Sequence, residues 1–125
     1  MTSLEEEARS HEDVPMRVVP SPTGQVVTVE LEGELDLADA PAIRSTLLDL
    51  LEVPLVVVDV AAVTFVDSTV LGLLVGASRK MAKAGGKLTV VHATGLVLKS
   101  IRLTGLGPLL FVPAEPVEGL PPLQV

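Results

Sequence analysis

The sequence predicts a single α/β domain: a mostly parallel mixed sheet of about five strands with an antiparallel N-terminal hairpin, covered by three to four helices. Three observations carry this. An apolar run rich in β-branched valine, Leu55–Val58, suits a strand covered on both faces, as parallel strands in α/β proteins usually are. The segments flanking it repeat their apolar residues at helical spacing, so strands alternate with helices and the connections are crossovers. The length of 125 residues, with 48% hydrophobic residues and a mean hydropathy of +0.55, supports one well-buried core and argues against disorder.

Taken in order, residues 1–15 carry Glu5, Glu6, Glu7, Glu12 and Asp13 against Arg9, and read as an acidic flexible lead-in. Met16 to Pro20 forms a short first strand. Pro20-Ser21-Pro22-Thr23-Gly24 is turn chemistry, and Val27, Val29 and Leu31 then alternate with Thr28, Glu30 and Glu32 as in a half-buried strand. Gly33-Glu34-Leu35-Asp36 ends that strand. A helix follows over about 38–52, with Pro41 in its first turn and Ile43, Leu47, Leu50 and Leu51 inward.

Pro54 stops this helix and launches the central strand over 55–60. The next helix spans about 68–84, with Leu71, Leu74, Val75 and Ser78 at helical spacing, and Gly85-Gly86 supplies its left-handed terminus. A strand follows over 87–92, then a short helix over about 95–104 with Leu96, Ile101 and Leu103 as apolar positions. A last edge strand is expected at 109–112. The domain thus occupies 16–112, ahead of a Pro-rich tail, 113–125.

Composition narrows function. Aromatics are 2%, which removes stacking platforms for single-stranded nucleic acid, and a net charge of −7 opposes attraction to phosphate backbones. No direct nucleic-acid binding is expected. Without cysteine there is no disulfide framework or thiolate metal site. The N-terminal residues lack the basic start and apolar core of a signal peptide, and no apolar run approaches the roughly 20 residues that span a bilayer. A cytoplasmic protein without membrane insertion is expected.

Enzymatic motifs are missing. Ser68 lacks the Gly-x-Ser-x-Gly elbow, the histidines His11 and His92 have no partners at metal-ligand spacing, and no phosphate-binding loop occurs. Glu34 and Asp36 resemble a carboxylate pair, but a solvated turn is the more frequent explanation. Gly72 and Gly76 form Gly-x-x-x-Gly, read here as permitting close helix–sheet packing. No catalytic residue, cofactor or metal is expected.

Asp67-Ser68-Thr69 stands apart because it sets two hydroxyls where strand turns into helix. Capping is the ordinary explanation of such residues, since a side-chain oxygen there accepts from free N–H groups of the first turn. A phosphate at the same place would meet a partial positive charge of about half an elementary charge.

Taken with GELDLADAPAIRSTL, VVVDVAAVTFVDSTVLGLLV, the Gly85-Gly86 turn and LKSIRLTGLGPLLFV, this junction resembles the STAS domain, specifically the stand-alone anti-sigma factor antagonists of bacteria. The resemblance covers about 18–112. It implies a STAS-like fold and a role as substrate and switch, not as catalyst. Ser68 occupies the position that accepts phosphate from an anti-sigma factor serine kinase, with Thr69 as the alternative. The unphosphorylated form would bind the kinase and free a sigma factor, and a serine phosphatase would restore it. The resemblance places Asp36, Asp67, Ser68, Thr69 and Val70 at the partner surface. Val70 stands where the family usually has Gly, and its β-branched side chain is expected to narrow the approach of a kinase. The competing reading is a STAS subunit of a membrane lipid-transport ATPase complex, docking through the same helix. A stressosome-like scaffold is a third, weaker one, since the chain has no second sensor domain.

Overall fold

The structure, a computed structural model, describes residues 16–103. The elements follow in the expected order: β1 (Met16–Pro20), β2 (Val26–Leu35), α1 (Ala40–Leu48), β3 (Leu55–Val66), α2 (Ser68–Lys83), β4 (Lys87–Val91) and α3 (Gly95–Leu103). The strand expected at 109–112, the lead-in 1–15 and the tail 113–125 lie outside the described residues. Among those described, four strands form one sheet in the order β1-β2-β3-β4, with β1 antiparallel to β2 and the other pairs parallel.

The central strand shows why an apolar β-branched run was needed. Val56, Val57 and Val58 are all 0% exposed, so both faces of β3 are buried. Burial of each such side chain is worth about 1.5–3 kcal/mol. Val56, Val58 and Val60 join Val29 and Leu31 of β2 and Leu88 and Val90 of β4 in a core shared with Ile43 and Leu47 of α1, Leu71, Leu74 and Met81 of α2, and Val97 and Ile101 of α3.

β3 runs six residues beyond the expected 55–60. Its pairing with β2 shifts register twice, between Glu30 and Glu32 and between Gly33 and Glu34, each time with an extra residue on β3. These bulges change the buried repeat: Val60, Val63 and Val66 face inward with two exposed residues between each pair. A period of three hides a strand from a period-two reading. Gly33, at the second shift, has φ +78°, a conformation that glycine adopts without steric cost.

α1 is shorter than expected. After Leu48 the N–H of Leu50 donates to Leu47 O at 3.0 Å and that of Val53 to Leu50 O at 3.1 Å, three-residue turns that replace helix. Pro54 favours an extended Val53, so the chain must leave the helix beforehand. Leu50 and Leu51 still pack against the core, from the turn. α2 ends as expected: the N–H groups of Gly86 and Gly85 donate to Met81 O (2.8 Å) and Ala82 O (3.1 Å), and Gly85 has φ +90°.

α3 corrects the sequence reading. Val97 and Ile101, one turn apart, are buried, whereas Leu96 is 63% and Leu103 75% exposed. The inward stripe follows the spacing of four set by Val97 and Ile101, which leaves both leucines on other faces.

Candidate partner-binding site

Two loops meet at the end of the sheet where β2 and β3 finish. Leu35 pairs with Val66 at the last register position, so the segments that follow, Asp36–Asp39 and Asp67–Thr69, emerge side by side. They are tied directly: the N–H of Asp67 donates to Leu35 O at 3.1 Å.

Asp67 is the N-cap of α2. Its backbone is extended (φ −88°, ψ 171°), and Oδ1 accepts from the Val70 N–H at 3.1 Å. That bond uses one of the free donors of the first turn. Ser68 and Thr69 are the first two helical residues and both are exposed. The capping role therefore falls to the aspartate.

Asp36 is exposed, and its carboxylate is committed to its own turn. Oδ1 accepts from the Ala38 N–H at 2.9 Å, while the Asp36 N–H donates to Asp39 Oδ2 at 2.9 Å. These two bonds brace the entry to α1, and the pairing of Leu35 with Val66 sets Asp36, Asp39 and Asp67 around one corner. Exposed Leu37 and Phe65 stand beside it, 66% and 43% accessible, and sequence patterning did not single them out.

Val70 is placed otherwise than its sequence position suggested. Its side chain is 0% exposed and belongs to the core. It does not narrow the approach to Ser68, and contributes its backbone N–H to the Asp67 cap. Gly72 and Gly76 are also corrected: a Cβ at either would meet nothing within 4 Å, so they do not serve helix–sheet packing. They border a cleft between α1 and α2.

A second pairing escaped the sequence. His92, directly after β4, has φ 64°, and its Nδ1 lies 3.1 Å from Asp59 Oδ1, which also accepts from the Ala61 N–H at 2.9 Å. Asp59 sits at the first β3 bulge, so this contact ties the bulge to the end of β4. The adjacency of the two strands was the available signal. Among the described residues no group of three His, Cys, Asp or Glu is arranged to hold a metal, and no helix is long and apolar enough to cross a membrane.

The family model described as Mlab, STAS domain, matches residues 19–112. The chain belongs to the STAS domain family. This STAS domain is 28% identical over 95 residues to the anti-sigma-B factor antagonist of Bacillus subtilis, a match covering 75% of this chain and 87% of that relative. An anti-sigma factor antagonist from Mycobacterium paratuberculosis superimposes with a TM-score of 0.69 at 29% identity, over 79% of this chain and 84% of its own. The antagonist SpoIIAA shares the fold in its unphosphorylated form, with a TM-score of 0.68 at 24% identity over 78% of this chain and 87% of that one. Its phosphorylated form gives a TM-score of 0.62 at 23% identity over 78% and 90%.

Proposed function

We propose that this STAS domain is a cytoplasmic anti-sigma factor antagonist, a regulatory protein and not an enzyme. Unphosphorylated, it binds an anti-sigma factor serine kinase through the corner formed by Asp36, Asp67, Ser68 and Thr69, and so frees a sigma factor. Phosphorylation of Ser68 ends the interaction and a serine phosphatase reverses it. The carrying observation is the exposed Ser68 at the first position of α2, beside a cap already supplied by Asp67. The antagonist relatives from Bacillus subtilis and Mycobacterium paratuberculosis support the same reading.

In the transfer, the Ser68 oxygen attacks the γ-phosphorus of the ATP held by the kinase, the bond to the bridging oxygen breaks, ADP leaves, and the hydroxyl proton passes to a base of the kinase. The product gains about 1.5 to 2 negative charges. The N-terminal end of α2 stabilises that phosphate on the free protein. Against a partner fitted to a neutral hydroxyl, the same charge beside Asp67 adds steric conflict and repulsion. A change of about 1.4 kcal/mol already lowers affinity tenfold, so no refolding is required. With the purified cognate kinase, the wild-type protein should bind and Ser68→Asp should bind at least about tenfold more weakly. Absence of any wild-type complex would overturn the proposal.

The matched family model is described as Mlab and not as an antagonist, which leaves room for a second reading. In it, the domain is a subunit of a membrane lipid-transport ATPase complex, docking through the same helix start with Thr69 or Ser68 as a contact hydroxyl. Co-purification of an ABC-type ATPase instead of a histidine-kinase-like one would favour it.

A further inference from the structure

The cleft between α1 and α2 opens one helical turn beyond Ser68. It is lined by Arg44 and Leu48 of α1 and by Gly72, Leu73, Gly76 and Lys80 of α2, and holds about 220 Å³. That is room for one or two side chains, below the roughly 300–1,000 Å³ of small-molecule sites. No carboxylate lines it. Among the described residues neither Arg44 nor Lys80 forms a salt bridge. Two unpaired cations therefore flank an apolar floor in a chain whose net charge is −7.

The cleft is continuous with the candidate site. Ser68, Gly72, Gly76 and Lys80 are spaced by four along α2 and form one ridge. Gly72 and Gly76 leave open space on that ridge, where a Cβ would touch nothing, so another backbone can approach closely. A partner seated on Ser68 thus runs directly into the cleft. The charge along the ridge is bipolar: Asp36, Asp39 and Asp67 surround its beginning, while Arg44 and Lys80 flank its later part, with exposed Arg79 and Lys83 also in the last turns of α2.

We infer that this cleft seats an acidic, apolar segment of the anti-sigma partner, with carboxylates on Arg44 and Lys80 and an aliphatic side chain over Gly72 and Gly76 against Leu48 and Leu73. The inference rests on the docking reading above. The bipolar ridge fixes the direction in which the partner lies, because a reversed pose sets carboxylates against the aspartates of the corner.

The test measures affinity for the purified cognate anti-sigma kinase by titration calorimetry, using wild type, Ser68→Asp, the double variant Arg44→Glu/Lys80→Glu, and Gly76→Leu. Both cleft variants alter exposed or open positions, and Gly76→Leu raises helix propensity, so melting at or above the wild-type temperature is expected. The double variant should bind at least about tenfold more weakly, with the deficit shrinking as salt is raised, and Gly76→Leu should also weaken binding. Wild-type binding by both cleft variants, with binding lost in Ser68→Asp, overturns the cleft assignment and leaves the docking reading standing. Failure of the wild type to bind overturns both. If the cleft variants change sedimentation of the protein alone and leave kinase binding intact, the cleft joins copies of this chain and the assignment falls.

Discussion

The backbone N–H of Asp67 donates to the carbonyl of Leu35 at 3.1 Å, locking the corner that presents Ser68 onto the end of the neighbouring strand. The Asp67 side chain meanwhile caps α2 through the Val70 N–H. One residue thereby fixes both the position of the helix start and its direction, and Ser68 is displayed on a rigid frame.

Replacing that cap tests the frame. Asp67→Ala should lower stability by about 1 kcal/mol in urea titration, since the Val70 N–H loses its acceptor. Asp67→Asn retains a side-chain oxygen and should lose less. Equal stability of all three proteins would show that the cap bond contributes nothing.

Glycines that look alike in sequence should respond with opposite signs. A Cβ on Gly86 would lie 2.9 Å from Val53 O, a backbone atom that cannot swing aside, so Gly86→Ala should destabilise by roughly 1–3 kcal/mol. Gly72 sits mid-helix in open space, and Gly72→Ala should stabilise by about 0.5–1 kcal/mol. Chemical denaturation of the two variants reads both signs.

Val70 separates stability from recognition. Because its side chain is fully buried, Val70→Ala should cost about 2 kcal/mol in denaturant unfolding yet leave kinase affinity unchanged where the protein remains folded. An unchanged stability with altered affinity would place Val70 at the interface instead of in the core.

Much of the fold was legible because single rules governed it. The valine-rich run at Leu55–Val58 signalled a strand buried on both faces, Pro41 and Pro54 bracketed the first helical segment, and Gly85-Gly86 closed α2. What escaped depended on tertiary pairing. The second half of β3 was hidden because two bulges turned its buried period from two to three at Val60, Val63 and Val66. The Asp59–His92 contact joins residues 33 apart that meet only once β3 and β4 pair. At the site, chemistry exposed Asp67-Ser68-Thr69, whereas the inward turn of Val70 and the open side of Gly72 and Gly76 required the orientation of α2 against the sheet.

The most direct measurement is incubation with the cognate anti-sigma kinase and ATP, followed by mapping of the phosphate by mass spectrometry. The account predicts one phosphate on Ser68, lost in Ser68→Ala, kept in Thr69→Ala, and accompanied by release of the kinase. Phosphate on Thr69 alone would contradict the assignment of Ser68, and phosphate on neither residue with no complex formed would contradict the account as a whole.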